Sequence, residues 1–262
     1  MRKKVLLRSW RNAGRSSKAN ELLRHEHTRA CATGPMTDTP LFDALRSVLD
    51  ARFSCRGYLS REVPAETIDA ILSTAQRTPS WCNSQPWQII VTRPAATNRL
   101  RSALQAASAL PNDQWEIAPP AEYRGVYRDR RRTCGLQLYE SVGVAAGDRE
   151  ASARQAEENF RLFGAPHVAV ITTDALLGTY GVLDCGAYVN NFMLAAASVG
   201  VSAIAQAALA SKAHVLREIL SIPPERRVVC GISFGYVDPS HPANAFRTER
   251  APLDQVVTFV TE

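Results

Sequence analysis

"RTPSWCNSQPWQIIV", residues 77–91, joins a helical pattern to an apolar run that reads as a strand. A helix-to-strand junction needs little more than a Pro or Gly and a few polar residues. This one carries Pro79 and Pro86, Trp81 and Trp87, the Cys82 thiol, and Ser80, Asn83 and Gln85. The prolines fix φ at two points. The polar side chains and free backbone N–H groups offer hydrogen bonds, and the tryptophans offer flat apolar area. The set suits a planar heteroaromatic ligand with a hydrogen-bonding edge. The plainer alternative is a tryptophan-stapled turn that plugs the core.

Working outward, apolar periodicity predicts helices at 40–52, 65–77, 96–108, 122–142, 149–162, 181–199 and 211–220. In the second, Ile68, Ile71, Leu72 and Ala75 share a face, and Pro64 stands where a first turn accepts proline. Strands are predicted at 87–93, 167–173, 201–205, 228–235 and 255–260. "HVAVITT" and "RVVCGISFGY" are nearly continuous in apolar and β-branched residues, as strands buried on both faces are. Many helices between few strands imply an α+β or α/β sheet covered by helices. "DCGAYVNNFMLAAASVG" is apolar almost all round, so it is expected to be buried inside a domain or between two subunits. The turn-rich stretch 238–254 delivers the last strand, "QVVTFV", on an arm long enough to reach a partner chain.

A chain of 262 residues with ordinary apolar and charged content has room for a real core. Its net charge of +6 is local. Residues 1–35 hold nine Lys/Arg and two acids, which leaves 22 basic against 23 acidic residues in 36–262. The near-neutral body argues against nucleic acid and membrane as partners, and no run reaches the ~18 apolar residues of a membrane span. The chain therefore divides into a basic N-terminal extension, 1–35, expected to lack fixed structure, and a domain at 36–262, with Met36 as the expected natural start. "HEH" at 25–27 is expected to be solvated. The six cysteines lie more than four positions apart, so zinc-type pairs are absent and a reducing, cytoplasmic setting is expected. There is no G-x-G-x-x-G, P-loop, G-x-S-x-G or H-E-x-x-H, and His167 reads as a satisfied core histidine.

In "ARFSCRGY" (51–58), Arg52, Ser54 and Arg56 alternate, which puts all three on one side of an extended segment. Two guanidiniums and a hydroxyl match a phosphate, although the same pattern also fits a solvated edge. Arg247 and Arg250 in "NAFRTERAP" could supply a second half of such a clamp, or be a surface charge pair.

Taken together, "RFSCRGY", "PSWCNSQPW", "NFRLFGAP" (159–166) and "NAFRTERAPL" resemble the FMN-dependent nitroreductase family across about 40–260. The block between Tyr123 and Pro166 resembles the branch that reduces nitroaromatics such as nitrobenzoates. The resemblance implies an α+β fold with a central, mostly antiparallel sheet flanked by helices. It also implies an intertwined homodimer with exchanged C-terminal arms and an FMN at each end of the interface. Residue by residue, it assigns Arg52 and Ser54 to the phosphate and Arg56 to the pyrimidine edge. Phe53 stands where relatives have a polar residue. Pro79, Ser80, Trp81 and Asn83 map onto the segment given by the other protomer. Gln206, Ala207 and Ala208 map onto the loop at the flavin's reactive edge, with Ala207 where relatives often carry an acid. Arg247 and Arg250 map onto the C-terminal phosphate contacts. One further polar contact, expected between 100 and 120, has no assigned residue.

Chemistry would then reside in the flavin, with NAD(P)H as donor, a small aromatic nitro compound or quinone as acceptor, one shared site and ping-pong turnover. No side chain need act as nucleophile. Trp81, Tyr123, Tyr127 and Tyr139 are expected to line the substrate pocket. The alternatives are flavin fragmentation or reductive dehalogenation on the same fold, or flavin or nucleic-acid binding without turnover.

Overall fold

The computed structural model describes residues 39–111 and 113–261. The predicted extension, 1–35, lies outside the described residues. The chain divides into a short N-terminal unit ending at Leu45 and a compact unit from Arg46 onward. In the first, Thr39 Oγ1 accepts from Phe42 N at 3.2 Å and Pro40 opens the helix, so α1 (Pro40–Ala51) starts on a Thr-Pro cap.

In the compact unit the elements after α1 are α2 (Ala65–Ala75), β1 (Trp87–Thr92), α3 (Pro94–Ala106), α4 (Gly125–Ser141), α5 (Arg149–Glu157), β2 (His167–Asp174), α6 (Gly178–Ser198), β3 (Ser202–Gln206), α7 (Ala213–Leu220) and β4 (Arg226–Gly235). The strands pair in the order β1-β2-β4-β3, antiparallel throughout. β2 shows why the sequence runs are almost unbroken. Ala169 and Ile171 face a core completed by α2 and α6, with Ile68, Ile71, Tyr188 and Phe192. Val168 and Val170 face the opposite core, where α3 and α7 bring Leu100, Leu104, Val215 and Leu216. Helices on both faces remove the polar positions an antiparallel strand normally turns to water.

His167 is fully buried, accepting from Val63 N at Nε2 (3.0 Å) and facing Thr92 O through Nδ1 (3.1 Å), so the neutral tautomer fits both partners. Burial holds its pKa below the usual histidine value.

Two expectations need correction. Residues 256–260 pair with no strand among the described residues. The short 3-10 turn Leu253–Gln255 leads instead into an exposed tail with Phe259 and Val260 bare, outside the sheet formed by β1–β4. The helix expected to reach 162 stops at Glu157, because Leu162 and Phe163 adopt left-handed φ of 57° and 51° and turn the chain into β2. Helix α6 buries one face within this chain: Cys185, Tyr188 and Phe192 face the core, while Tyr180 and Leu183 lie open, so burial inside the domain accounts for one side of the helix only.

Candidate functional site

Residues 52–58 run extended beside β3. Ser54 bridges Ala203 in parallel, and Cys55 N donates to Ala203 O at 3.4 Å. Tyr58 is pinned beneath through its hydroxyl to Ser233 O (2.9 Å), and it packs with Cys55, Phe163, Ala165 and Ile204. Cys55 points inward, and Arg52, Ser54 and Arg56, on the alternate positions, line the outer side, as the alternation predicts; Tyr58 departs from it and turns into the core.

The C-terminal loop closes on this segment through Asn244, which sequence reasoning missed. Its Oδ1 accepts from Arg56 N (2.8 Å), and its Nδ2 donates to Gly57 O and Asp238 O (both 2.9 Å). Gly57 is required here, since a Cβ would lie 2.2 Å from His241 Cγ. The available signal was an Asn at the head of "NAFRTERAP", a residue type suited to tying two backbone segments.

Arg52, Phe53, Ser54, Arg56, Arg247 and Arg250 therefore line one cleft of about 330 Å³. Arg247 lies over the Phe53 ring with its Cζ 3.8 Å from the centroid, so the apolar substitution at 53 gives a guanidinium a face to rest on. Burial, and the like charge of Arg250, lower the pKa of Arg52; burial lowers that of Arg56. Among the described residues no carboxylate forms an ion pair with any of the four arginines. Asp50, also at the cleft, faces Arg46 at 3.9 Å. Partly buried guanidiniums at 52 and 56, with Arg250 repelling Arg52, make a donor set that suits an anion.

Two more clefts continue from this one. Arg56 is shared with a 280 Å³ cleft lined by Tyr139, Asn159, Phe163 and Ile204–Ala207. Ala156, Asn159 and Ala207 are shared in turn with a 560 Å³ cleft lined by Trp115, Tyr123, Arg131, Phe160 and Ala208. The result is a groove with a cationic end and an apolar end. Its floor is set by Gln206, whose Nε2 donates to Asn159 O (3.0 Å) while its Oε1 accepts from Ser233 Oγ. Both ends of that amide are thus taken within the fold, and Ala207 and Ala208 continue the groove's lining.

The other predicted residues lie elsewhere. Pro79, Ser80, Trp81 and Asn83 line none of these clefts, and Trp81 ties their turn to α6: its N donates to Asp184 Oδ2 (3.1 Å), and its ring centroid lies 4.8 Å from that of Tyr180. The turn is conformationally unusual. Cys82, Asn83 and Gln85 have φ of 51°, 55° and 46°, a region that costs non-glycine residues about 1 kcal/mol or more each. Ser80 Oγ accepts from Gln85 N (2.9 Å), and Trp87, buried on Tyr188, donates from Nε1 to Gln76 (3.0 Å). Buried Thr78 and Pro86 bracket the exposed residues 81–85. Tyr123 and Tyr139 line the groove, whereas Tyr127 is exposed and lines none of these clefts. In the 100–120 segment, Glu116 pairs with Arg217 (2.5 Å) and accepts from Val228 N (2.6 Å), which anchors the loop carrying Trp115.

An antiparallel sheet covered on both faces thus carries an arginine-lined cleft that opens into an apolar groove. A profile of the Nitroreductase family matches residues 49–236, and the chain belongs to that family. It is 32% identical over 235 residues to a 4-nitrobenzoate reductase of Nocardioides sp., covering 86% of this chain and 94% of the relative. It is 34% identical over 234 residues to nitroreductase NfnB of Mycolicibacterium smegmatis, covering 87% and 96%. Among solved structures, the FMN-dependent nitroreductase NfnB from Mycobacterium smegmatis in complex with NADPH superposes with a TM-score of 0.81 at 32% identity, covering 84% of this chain and all of that one. No helix among the described residues is long and apolar enough to cross a membrane.

Proposed function

We propose that this chain is an NAD(P)H-dependent FMN enzyme that reduces nitroaromatic compounds, with quinones as further acceptors. One observation carries the reading: unpaired arginines cluster at the end of a groove that turns apolar, which suits a phosphate attached to a flat ring. Arg52, Ser54, Arg247 and Arg250 would hold the phosphate. Arg56, partly buried where the first two clefts meet, would place positive charge beside the ring's electron-poor edge, where negative charge gathers on reduction. Bound FMN supplies the capacity to accept and return a hydride. The backbone of Gln206, Ala207 and Ala208 would meet the ring edge, and Tyr123 and Tyr139 would keep water from the slot.

Homodimerisation belongs to the same proposal. Trp81 sits on α6 against exposed Tyr180, and Pro79, Ser80 and Asn83 flank it in the same turn outside the arginine cleft, so their contact with a flavin would be made to the partner's. The bare tail 256–260 would pair with the partner as well. The five cysteines among the described residues, at 55, 82, 134, 185 and 230, are free, which fits a reducing cytoplasm. We further assign 36–262 as the catalytic unit and 1–35 as an extension dispensable for turnover.

The test is the visible spectrum of the purified protein. A flavin spectrum that bleaches with NAD(P)H under anaerobic conditions and returns on adding a nitroarene is the expected result. A colourless protein that takes up no added FMN refutes the proposal.

A further inference from the structure

We propose that Arg131 selects acidic aromatic substrates by holding their carboxylate at the apolar end of the groove. This rests on the proposed nitroaromatic reduction and names the substrate class that the groove favours.

The 560 Å³ cleft is walled by Trp115, Ile117, Pro119, Tyr123 and Phe160, and Arg131 is the one charged side chain among its lining residues. Five arginines stand between 124 and 132. Arg124 pairs with Glu122, and Arg128 pairs with Asp129 (3.5 Å). Among the described residues no carboxylate pairs with Arg131. Its Cζ lies 5.2 Å from the centroid of Tyr123, a cation–π contact that steers the guanidinium over the cleft.

The chemistry of the cleft follows from these surroundings. Aromatic and proline walls favour a flat ring, and a planar guanidinium favours a bidentate carboxylate. Helix α4 buries no residue, so the arginine can shift to meet the acid without disturbing the core. A ring anchored this way at Arg131 extends toward Ala207, where this cleft joins its neighbour. A nucleotide phosphate could use the same guanidinium, but the apolar lining beside it suits a carboxylated ring.

The experiment compares holoenzyme with Arg131→Gln and Arg131→Lys forms on 4-nitrobenzoate and its neutral analogue 4-nitrobenzamide. Arg131→Gln should lower kcat/KM for the acid about tenfold, mainly through KM, and leave the amide within about twofold. Arg131→Lys should recover part of the loss. Calorimetric titration with benzoate reads binding without turnover, and its Kd should rise by a similar factor and respond to salt. Equal effects on acid and amide overturn the proposal. So does a change confined to the KM of NADPH, which would give Arg131 to the nucleotide. Failure of the unaltered enzyme to reduce either compound overturns the proposed function itself, a result distinct from unchanged discrimination.

Discussion

Replacing Arg250 by Ala separates binding from folding, because the two effects have different sizes. Arg250 is exposed, hydrogen-bonds only within its own loop (to Thr248 and Glu249), and lowers the pKa of Arg52 by like charge. The apoprotein therefore loses no inter-element contact and is relieved of some repulsion. Its stability should stay within about 0.5 kcal/mol of the parent, as for other surface changes. The flavin complex loses a charge-assisted bond to a phosphate dianion, worth about 1.5–3 kcal/mol, or about ten- to hundredfold in Kd. Arg52→Ala should cost a similar factor. The double variant should lose less than the product of the two, because the first change already removes the repulsion that the second would relieve. FMN titration by fluorescence quenching gives the four Kd values, and thermal unfolding of the apoproteins gives the stabilities. Equal flavin affinity in parent and double variant would refute the phosphate assignment. A large fall in apoprotein stability would show that the arginines hold the fold rather than the ligand.

Gly57→Ala should lower both melting temperature and bound flavin, since its Cβ would lie 2.5 Å from His241 Cβ and push the 52–58 segment off the loop; overpacking of this kind costs about 1–3 kcal/mol. Arg226→Met should destabilise by about 2–4 kcal/mol, because buried Pro86 O and Thr172 O lose their donor, at 2.8 and 2.6 Å; urea unfolding measures it. His167 gives a pH dependence. Its folded pKa lies below the unfolded value of about 6.5. Between the two the unfolded chain binds the extra proton, so stability is complete above about pH 6.5 and falls by up to ~1.4 kcal/mol per pH unit below it, until the folded pKa is reached. Unfolding curves of parent and His167→Gln between pH 7 and 5 should diverge in slope; parallel profiles would remove His167 as the cause.

Much of the fold was legible because its signals are local. Val168, Ala169, Val170 and Ile171 announce a strand whichever helices cover it, and Ile68 and Ile71 announce a helix face. The alternation of Arg52, Ser54 and Arg56 was legible for the same reason. Asn244 and Gln206 act across the chain, through Gly57 and Asn159, and nothing near either residue reveals its partner. Arg131 was hidden differently: it is one of five arginines in nine residues, and its place in the lining of the cleft sets it apart from the other four. The run 255–260 has the composition of a strand but has no ladder within the chain. Composition reports the capacity to pair, and an edge must supply the partner.

The turn at 77–91 joins these two kinds of information. Its prolines suggest a rigid connection, yet the strain sits between them, at Cys82, Asn83 and Gln85, where φ is positive. Strained residues persist only when their surroundings over-determine them. Here the supports can be named. Asp184 receives Trp81 N, Ser80 receives Gln85 N, Gln76 links Gln85 to the Trp87 indole, and Arg226 grips Pro86 O from beneath. All of them belong to the turn, α2, α6 and β4, and none to the arginine groove. A turn that only linked α2 to β1 would relax into ordinary backbone at lower cost. So many contacts holding exposed residues 81–85 in one conformation suit a surface offered to a second subunit's ligand, the role proposed for this turn.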